Sequence, residues 1–168
     1  NLYFVETNAS AIYMVDLNGP FPLQYSTLTP FAQDAFNDPG GLTHDAAGTL
    51  YISSLESDTA LGWISRIDTT GTVTDLTWWS GLEGSWPTLT IDESDNLYLV
   101  ETNDITQITQ AQVNTHIASG LNGPVGLDYA MGCVFFSDDE GVKVVEASGG
   151  TPSLLFDTSS LSITGPTR

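Results

Sequence analysis

The octapeptide NLYFVETN at Asn1 to Asn8 returns as NLYLVETN at Asn96 to Asn103, with seven of eight residues identical. A recurrence at that separation marks a chain assembled from copies of one supersecondary unit, which limits the fold more than any composition does. Two looser copies complete the series, TLYISSLE from Thr49 and CVFFSDDE from Cys133. Cutting before each copy divides the chain into units 1–48, 49–95, 96–132 and 133–168.

Each unit has the same internal order. An alternating apolar strand comes first, then a loop and a second strand, such as Ala11 to Leu17, Gly62 to Asp68 or Val142 to Ala147. A Gly-containing turn, as at Asp68 to Gly71 or Ala147 to Gly150, leads to an outer strand, as at Thr72 to Trp78 or Ser153 to Asp157. A short fourth strand follows at Gly41 to Asp45, Thr88 to Asp92 and Gly126 to Tyr129. No segment sustains a 3.6-residue period, so the sequence predicts almost no helix. Units of four short strands and roughly 40 to 45 residues have the dimensions of a β-propeller blade. A β-sandwich would also show regular short strands, but its strands do not repeat in sequence. The expected class is therefore all-β, a propeller of four-stranded antiparallel blades.

The run GGLTHDAAGTLYISS with ISRIDTTG, from Gly40 to Gly71, resembles an NHL repeat. GLDYAMGCVFFSDDEGVKVVEASGG, from Gly126 to Gly150, is similar to the YWTD repeats of lipoprotein-receptor propellers, with Phe135-Phe136-Ser137-Asp138 in the motif position. Both resemblances imply a propeller, commonly of six blades, whereas four units are present here. Asn1 opens at the second strand of a blade, and the chain ends at Arg168 where an inner strand should begin. Either the two ends join in one blade of a four-bladed ring, or a longer polypeptide or a neighbouring subunit supplies further blades. The second arrangement is the expectation, and an open propeller edge of this kind invites self-association.

Charge removes several functions. Twenty-one Asp and Glu stand against Arg66, Lys143 and Arg168, a formal net charge of −18. Nucleic-acid binding needs cations against phosphates, so nucleic acid is not an expected partner. No apolar run reaches the roughly 18 residues of a membrane-spanning helix, and membrane insertion is not expected. The lone Cys133 excludes an internal disulfide. No Gly-x-Ser-x-Gly elbow, phosphate loop or His-Glu-x-x-His occurs.

Propeller sites lie where the inner strands begin. Asn37, Asp38, Glu83 and Asn122 precede those strands, and a Glu, an Asp and two Asn could supply oxygen ligands to Ca²⁺. The set resembles the metal site of the senescence-marker and gluconolactonase propellers, although Asp45 is displaced and the remaining motifs are missing. As plain residues, the four are turn formers. His44, on an inner strand beside Asp45, reads as a partly buried side chain between blades; His116, on an outer strand, faces solvent or a neighbour. The acidic runs Asp92 to Asp95 and Asp138 to Glu140 read as solvated turns. Adjacent Trp78 and Trp79 must point to opposite strand faces, which makes them candidates for a protein or glycan contact. Asn8-Ala9-Ser10 is an N-glycosylation sequon in a loop, and with the acidity it suggests an extracellular or cell-surface setting.

Two functions follow as expectations. The first is a non-catalytic extracellular propeller module for binding or self-assembly, with no cofactor. The second is a metal-dependent lactonase or lyase of the gluconolactonase-like class, using Ca²⁺.

Overall fold

A computed structural model of the chain describes residues 1–19, 24, 28–33, 38–56, 61–80 and 88–157. Among these residues every regular element is a strand. β1 (Leu2–Glu6), β2 (Ala11–Val15) and β3 (Pro30–Gln33) form a three-stranded sheet in that order. β4 (Pro39–His44), β5 (Leu50–Glu56), β6 (Leu61–Ile67) and β7 (Val73–Ser80) form the second sheet, and β8 (Leu89–Ile91), β9 (Leu97–Glu101), β10 (Asp104–Ile108) and β11 (Asn114–Ala118) the third. The fourth contains β12 (Val125–Ala130), β13 (Cys133–Asp138), β14 (Gly141–Glu146) and β15 (Ser153–Asp157). Each sheet is a meander in chain order, as expected of propeller blades, and the fold class is that of a β-propeller. The repeated motif supplies β1, β5, β9 and β13. These are the second strands of the four-stranded sheets but the first strand of the three-stranded one.

The chain divides into two compact units, Asn1–Leu89 and Thr90–Arg168. In the first, Ile12, Ala32, Leu50, Ile52 and Ile67 form a core between the first two sheets, flanked by Tyr3, Val5, Phe31, Leu42 and Val73. In the second, Tyr98, Ile105, Ile117, Val134, Phe136 and Val145 are central to the corresponding core of the last two sheets. Strand alternation explains the pairing of sheets, because residues two apart share a face and one face of each strand is apolar. Each fully buried Ile or Leu in these layers contributes about 1.5–3 kcal/mol.

One irregularity recurs in all four sheets. On the outer strand a single residue is left unpaired by a register shift, between the pairs Ile12↔Ala32 and Tyr13↔Pro30 in the first sheet. The shift falls between Ile64↔Thr77 and Ser65↔Asp75 in the second, and between Ile105↔Ala118 and Thr106↔His116 in the third. In the fourth it falls between Val142↔Phe156 and Lys143↔Leu154. The bulged residues are Phe31, Leu76, Ile117 and Leu155, all large and apolar. A bulge turns its residue away from the ladder and bends the strand.

Two of these residues receive a turn from the following sheet. Gly71, at φ +87°, sits on Phe31, where an added Cβ would fall 2.3 Å from the Phe31 carbonyl oxygen. Gly149, at φ +94°, lies against Ile117, and the Gly150 N–H donates to the Ile117 carbonyl at 3.0 Å. Only a residue without a Cβ tolerates both the positive φ and the approach at Phe31.

Candidate functional site

The inner-strand approaches are only partly described. Asn37 and Glu83 lie outside the described residues. Asp38 belongs to the first unit, at a bend before β4; its φ is +49°, and its carbonyl accepts a hydrogen bond from the Leu55 N–H at 3.3 Å. An Asp tolerates that left-handed backbone better than most residues, so the position stores little strain. Asn122 belongs to the second unit, is exposed, and accepts from the Asp139 N–H at 3.0 Å through its carbonyl. Among the described residues, no group of three or more His, Cys, Asp and Glu is arranged to hold a metal ion. Asp38 and Asn122 offer oxygen donors, but the described residues alone do not make the multi-oxygen shell that Ca²⁺ takes.

Trp78 and Trp79 lie on β7, paired in register with Trp63 and Gly62; their side chains fall outside the description. His44 departs from the expected partly buried position between blades. It is exposed at the end of β4, with Nδ1 3.0 Å from the Asp45 carbonyl, so its imidazole keeps water contact that burial would have removed. The Asn8 side chain is exposed in the β1–β2 turn, its Nδ2 3.2 Å from Glu6 Oε1.

The acidic turns have defined work. Asp92 Oδ1 accepts from the Ser94 and Asn96 N–H groups, both at 2.8 Å, while Oδ2 accepts from Asn96 Nδ2 at 2.9 Å and the Tyr98 hydroxyl at 3.0 Å. Burial opposes its charge, but the hydrogen bonds from Asn96, Tyr98 and Ser94 outweigh it and hold the carboxyl below its usual range. Asp45 repeats the arrangement, accepting from the Ala47 and Thr49 N–H groups at 2.9 and 2.8 Å. Asp138, with a fully buried side chain, pairs at 2.7 Å with Lys143, which also meets Glu140 at 2.6 Å.

A polar cluster on the third sheet escaped the sequence reading. The Thr106 hydroxyl, on a residue 1% exposed, donates to Glu101 Oε2 at 2.5 Å and lies 3.0 Å from His116 Nδ1. His116 Nδ1 is also 3.8 Å from Glu101 Oε2 and 3.9 Å from Asp104 Oδ2. The hydroxyl has one proton and directs it to the carboxylate, so the imidazole donates to Thr106 from Nδ1. That polarity is the reverse of a nucleophile relay, in which the hydroxyl would donate to the imidazole. Beside the same bulge in the second sheet, Ser65 Oγ donates to Asp75 Oδ1 at 2.8 Å. Both pairs therefore tie the outer strand to its neighbour where the ladder is interrupted.

One cavity, of about 450 Å³, opens at the end of the fourth sheet, lined by Cys133, Val144, Glu146, Gly149, Thr151 and Ser153. It is large enough for a small ligand, yet the two glycyl N–H groups at its rim are already bonded, to Glu146 and Ile117 carbonyls.

Against proteins of known structure, the chain is similar to a gluconolactonase from Xanthomonas campestris, described as important in glucose secondary metabolic pathways. The TM-score is 0.63 at 19% identity, covering 88% of this chain and 55% of that one. A second solved protein, provisionally named a gluconolactonase, aligns with a TM-score of 0.58 at 12% identity, over 81% of this chain and 45% of that one. The chain thus spans about half the length of the solved structures it matches. No protein-family model matches the chain. No curated protein sequence matches it either. At these identities the likeness establishes the propeller fold.

Proposed function

We propose that the chain serves lactone hydrolysis, as a gluconolactonase-like propeller. The observation carrying this reading is the fold likeness to a gluconolactonase over 88% of the chain. The resemblance of Asn37, Asp38, Glu83 and Asn122 to that class's oxygen-donor set supports it, and makes Ca²⁺ the ion to test. In such a reaction water adds to the ring ester carbonyl and the ring C–O bond breaks, releasing a hydroxy acid. The test is hydrolysis of gluconolactone followed by acid release, with Ca²⁺ or with chelator, alongside calcium titration. Cation-dependent turnover that is lost in Glu83→Ala supports the reading; no turnover above the buffer rate and no calcium uptake defeats it.

The finer reading of the repeats as NHL- and YWTD-like belongs with this proposal. The Asp45 turn supports it, since the Asp of Gly41-Leu-x-x-Asp45 caps the turn into the next strand, as Asp92 does after Thr88-Leu89-Thr90-Ile91. An extracellular setting is part of the same proposal, supported by the exposed sequon at Asn8. Secretion from a glycosylating host should give a glycosidase-sensitive mass increase that Asn8→Gln removes; secreted protein of unmodified mass argues against it. The alternative of a binding or assembling module keeps one specific observation in its favour, the exposed Leu154, Leu155 and Phe156 on β15.

A further inference from the structure

The tripeptide Asn-Gly-Pro occurs twice, at Asn18-Gly19-Pro20 and at Asn122-Gly123-Pro124. Asn is a thermolabile residue, and most of all before Gly, where no side chain hinders attack of the next backbone nitrogen on the amide carbon. With the local sequence equal, the fold decides which copy reacts. Exposure does not separate them, since Asn18 and Asn122 are both exposed. Hydrogen bonding does. Asp16 Oδ1 accepts from the Asn18 N–H at 2.9 Å and from Asn18 Nδ2 at 3.2 Å. The Gly19 N–H, the attacking group, donates to the Asp16 carbonyl at 3.1 Å. Side chain and nucleophile are thus both held at the first copy.

At the second copy the restraints lie on other atoms. The Leu121 N–H donates to the Asn103 carbonyl at 2.8 Å, and the Asn122 carbonyl accepts from the Asp139 N–H at 3.0 Å. Among the described residues no hydrogen bond holds the Asn122 side-chain amide or the Gly123 N–H. We infer that Asn122 is a site of spontaneous deamidation in the folded chain, whereas Asn18 is protected. The Gly123 nitrogen gives up its proton and bonds to Asn122 Cγ; the Cγ–Nδ2 bond breaks and ammonia leaves with that proton, giving a succinimide. Water then opens the ring, at Cγ to yield aspartate or at the former main-chain carbonyl to yield isoaspartate. Either product places a new carboxylate near Asp139, whose Oδ1 and Oδ2 lie 3.5 and 3.8 Å from where a Cβ on Gly123 would stand. Like charges so placed repel, which weakens the contact of this loop with the turn between β13 and β14. In the isoaspartate the oxygen that accepts the Asp139 N–H becomes part of the new carboxylate. The chemistry needs only adjacent residues of one backbone and water, and it is independent of the lactonase reading.

Ageing of the 168-residue chain tests the inference, folded and in parallel in denaturant, at one mildly alkaline pH and one temperature. Peptide mapping by mass spectrometry reads the amide-to-acid mass gain at each copy, and an isoaspartate-specific methylation assay reads the rearranged product. The ratio of denatured to folded rate is the protection at each site. Protection at Asn18 should exceed that at Asn122 by about tenfold or more, a difference of about 1.4 kcal/mol in activation free energy. Asn122→Gln, whose longer side chain disfavours the succinimide ring, should remove most of the isoaspartate formed in the folded chain. The comparison between the two copies needs no variant, so it decides the matter even if Asn122→Gln fails to fold. Equal protection at the two sites, or stronger protection at Asn122, overturns the inference. So does isoaspartate formation that a folded Asn122→Gln chain leaves unchanged.

Discussion

Gly71 and Phe31 approach so closely that a methyl group on Gly71 would lie 2.3 Å from the Phe31 carbonyl oxygen. The contact joins the first two sheets through backbone, where neither partner can give way by rotating a side chain. Gly71→Ala combines this clash with a φ of +87° and should destabilise the first unit by about 2–4 kcal/mol. Gly149→Ala has a similar φ but 3.5 Å of room at Ile117, so about 1–2 kcal/mol is expected. Denaturant unfolding of the two variants, compared directly, measures the difference; equal losses would mean that φ alone matters.

The Asp92–Tyr98 pair makes stability depend on pH at both ends of the scale. Burial, with the Asp92 carboxylate adding to it, pushes the Tyr98 hydroxyl up to about 12, against a smaller opposing effect of Gln107. A tyrosine ionising later when folded contributes stability below its ordinary value near 10, which is lost as pH rises from there toward 12. The Asp92 carboxyl is held below 3.8, so its contribution is present above that value and is lost as pH falls through the folded one. Tyr98→Phe should flatten the alkaline limb of a melting-temperature profile, and Asp92→Asn the acid limb. Unchanged limbs would remove the pair from the account.

The charge pair inside the fourth sheet should be costly to break. The Asp138 side chain is fully buried and that of Lys143 is 13% exposed, so Asp138→Asn leaves an ammonium with Glu140 as its remaining acidic partner. A loss of about 1.5–3 kcal/mol is expected in equilibrium unfolding. A double replacement of Asp138 and Lys143 by apolar residues of similar size should recover much of it.

The third-sheet cluster predicts a subtler outcome. Thr106→Val keeps the volume but leaves Glu101 and His116 without the hydroxyl between them, and should cost about 1–2 kcal/mol. If the cluster only ties strands together, lactone turnover per folded molecule stays at the wild-type level. A turnover loss far beyond the change in folded fraction would instead place Thr106 in the chemistry.

The sheets were legible because side-chain alternation and the recurring motif both act locally. Leu97 to Val100 repeats the apolar strand of Leu2 to Val5, and Gly turns at Gly71 and Gly149 stand where a positive φ is needed. The bulges at Phe31, Leu76, Ile117 and Leu155 were not legible, since one unpaired residue leaves composition unchanged and register is set across strands. The Thr106–His116–Glu101 cluster was hidden for the same reason: its members come from three strands and meet only through pairing. Position on a strand could not tell that the His44 ring would remain in water. Of the proposed oxygen donors, Asp38 and Asn122 can be located on turns, whereas Asn37 and Glu83 lie outside the described residues.

The recurring bulge also bears on how the chain avoids unwanted growth. Outer strands β3, β7, β11 and β15 are edges of their sheets, the kind of strand that can template pairing with an extended chain. A kink in every one of them interrupts the flat ladder that fibrillar stacking requires, so indiscriminate edge-to-edge polymerisation is discouraged along the whole repeat.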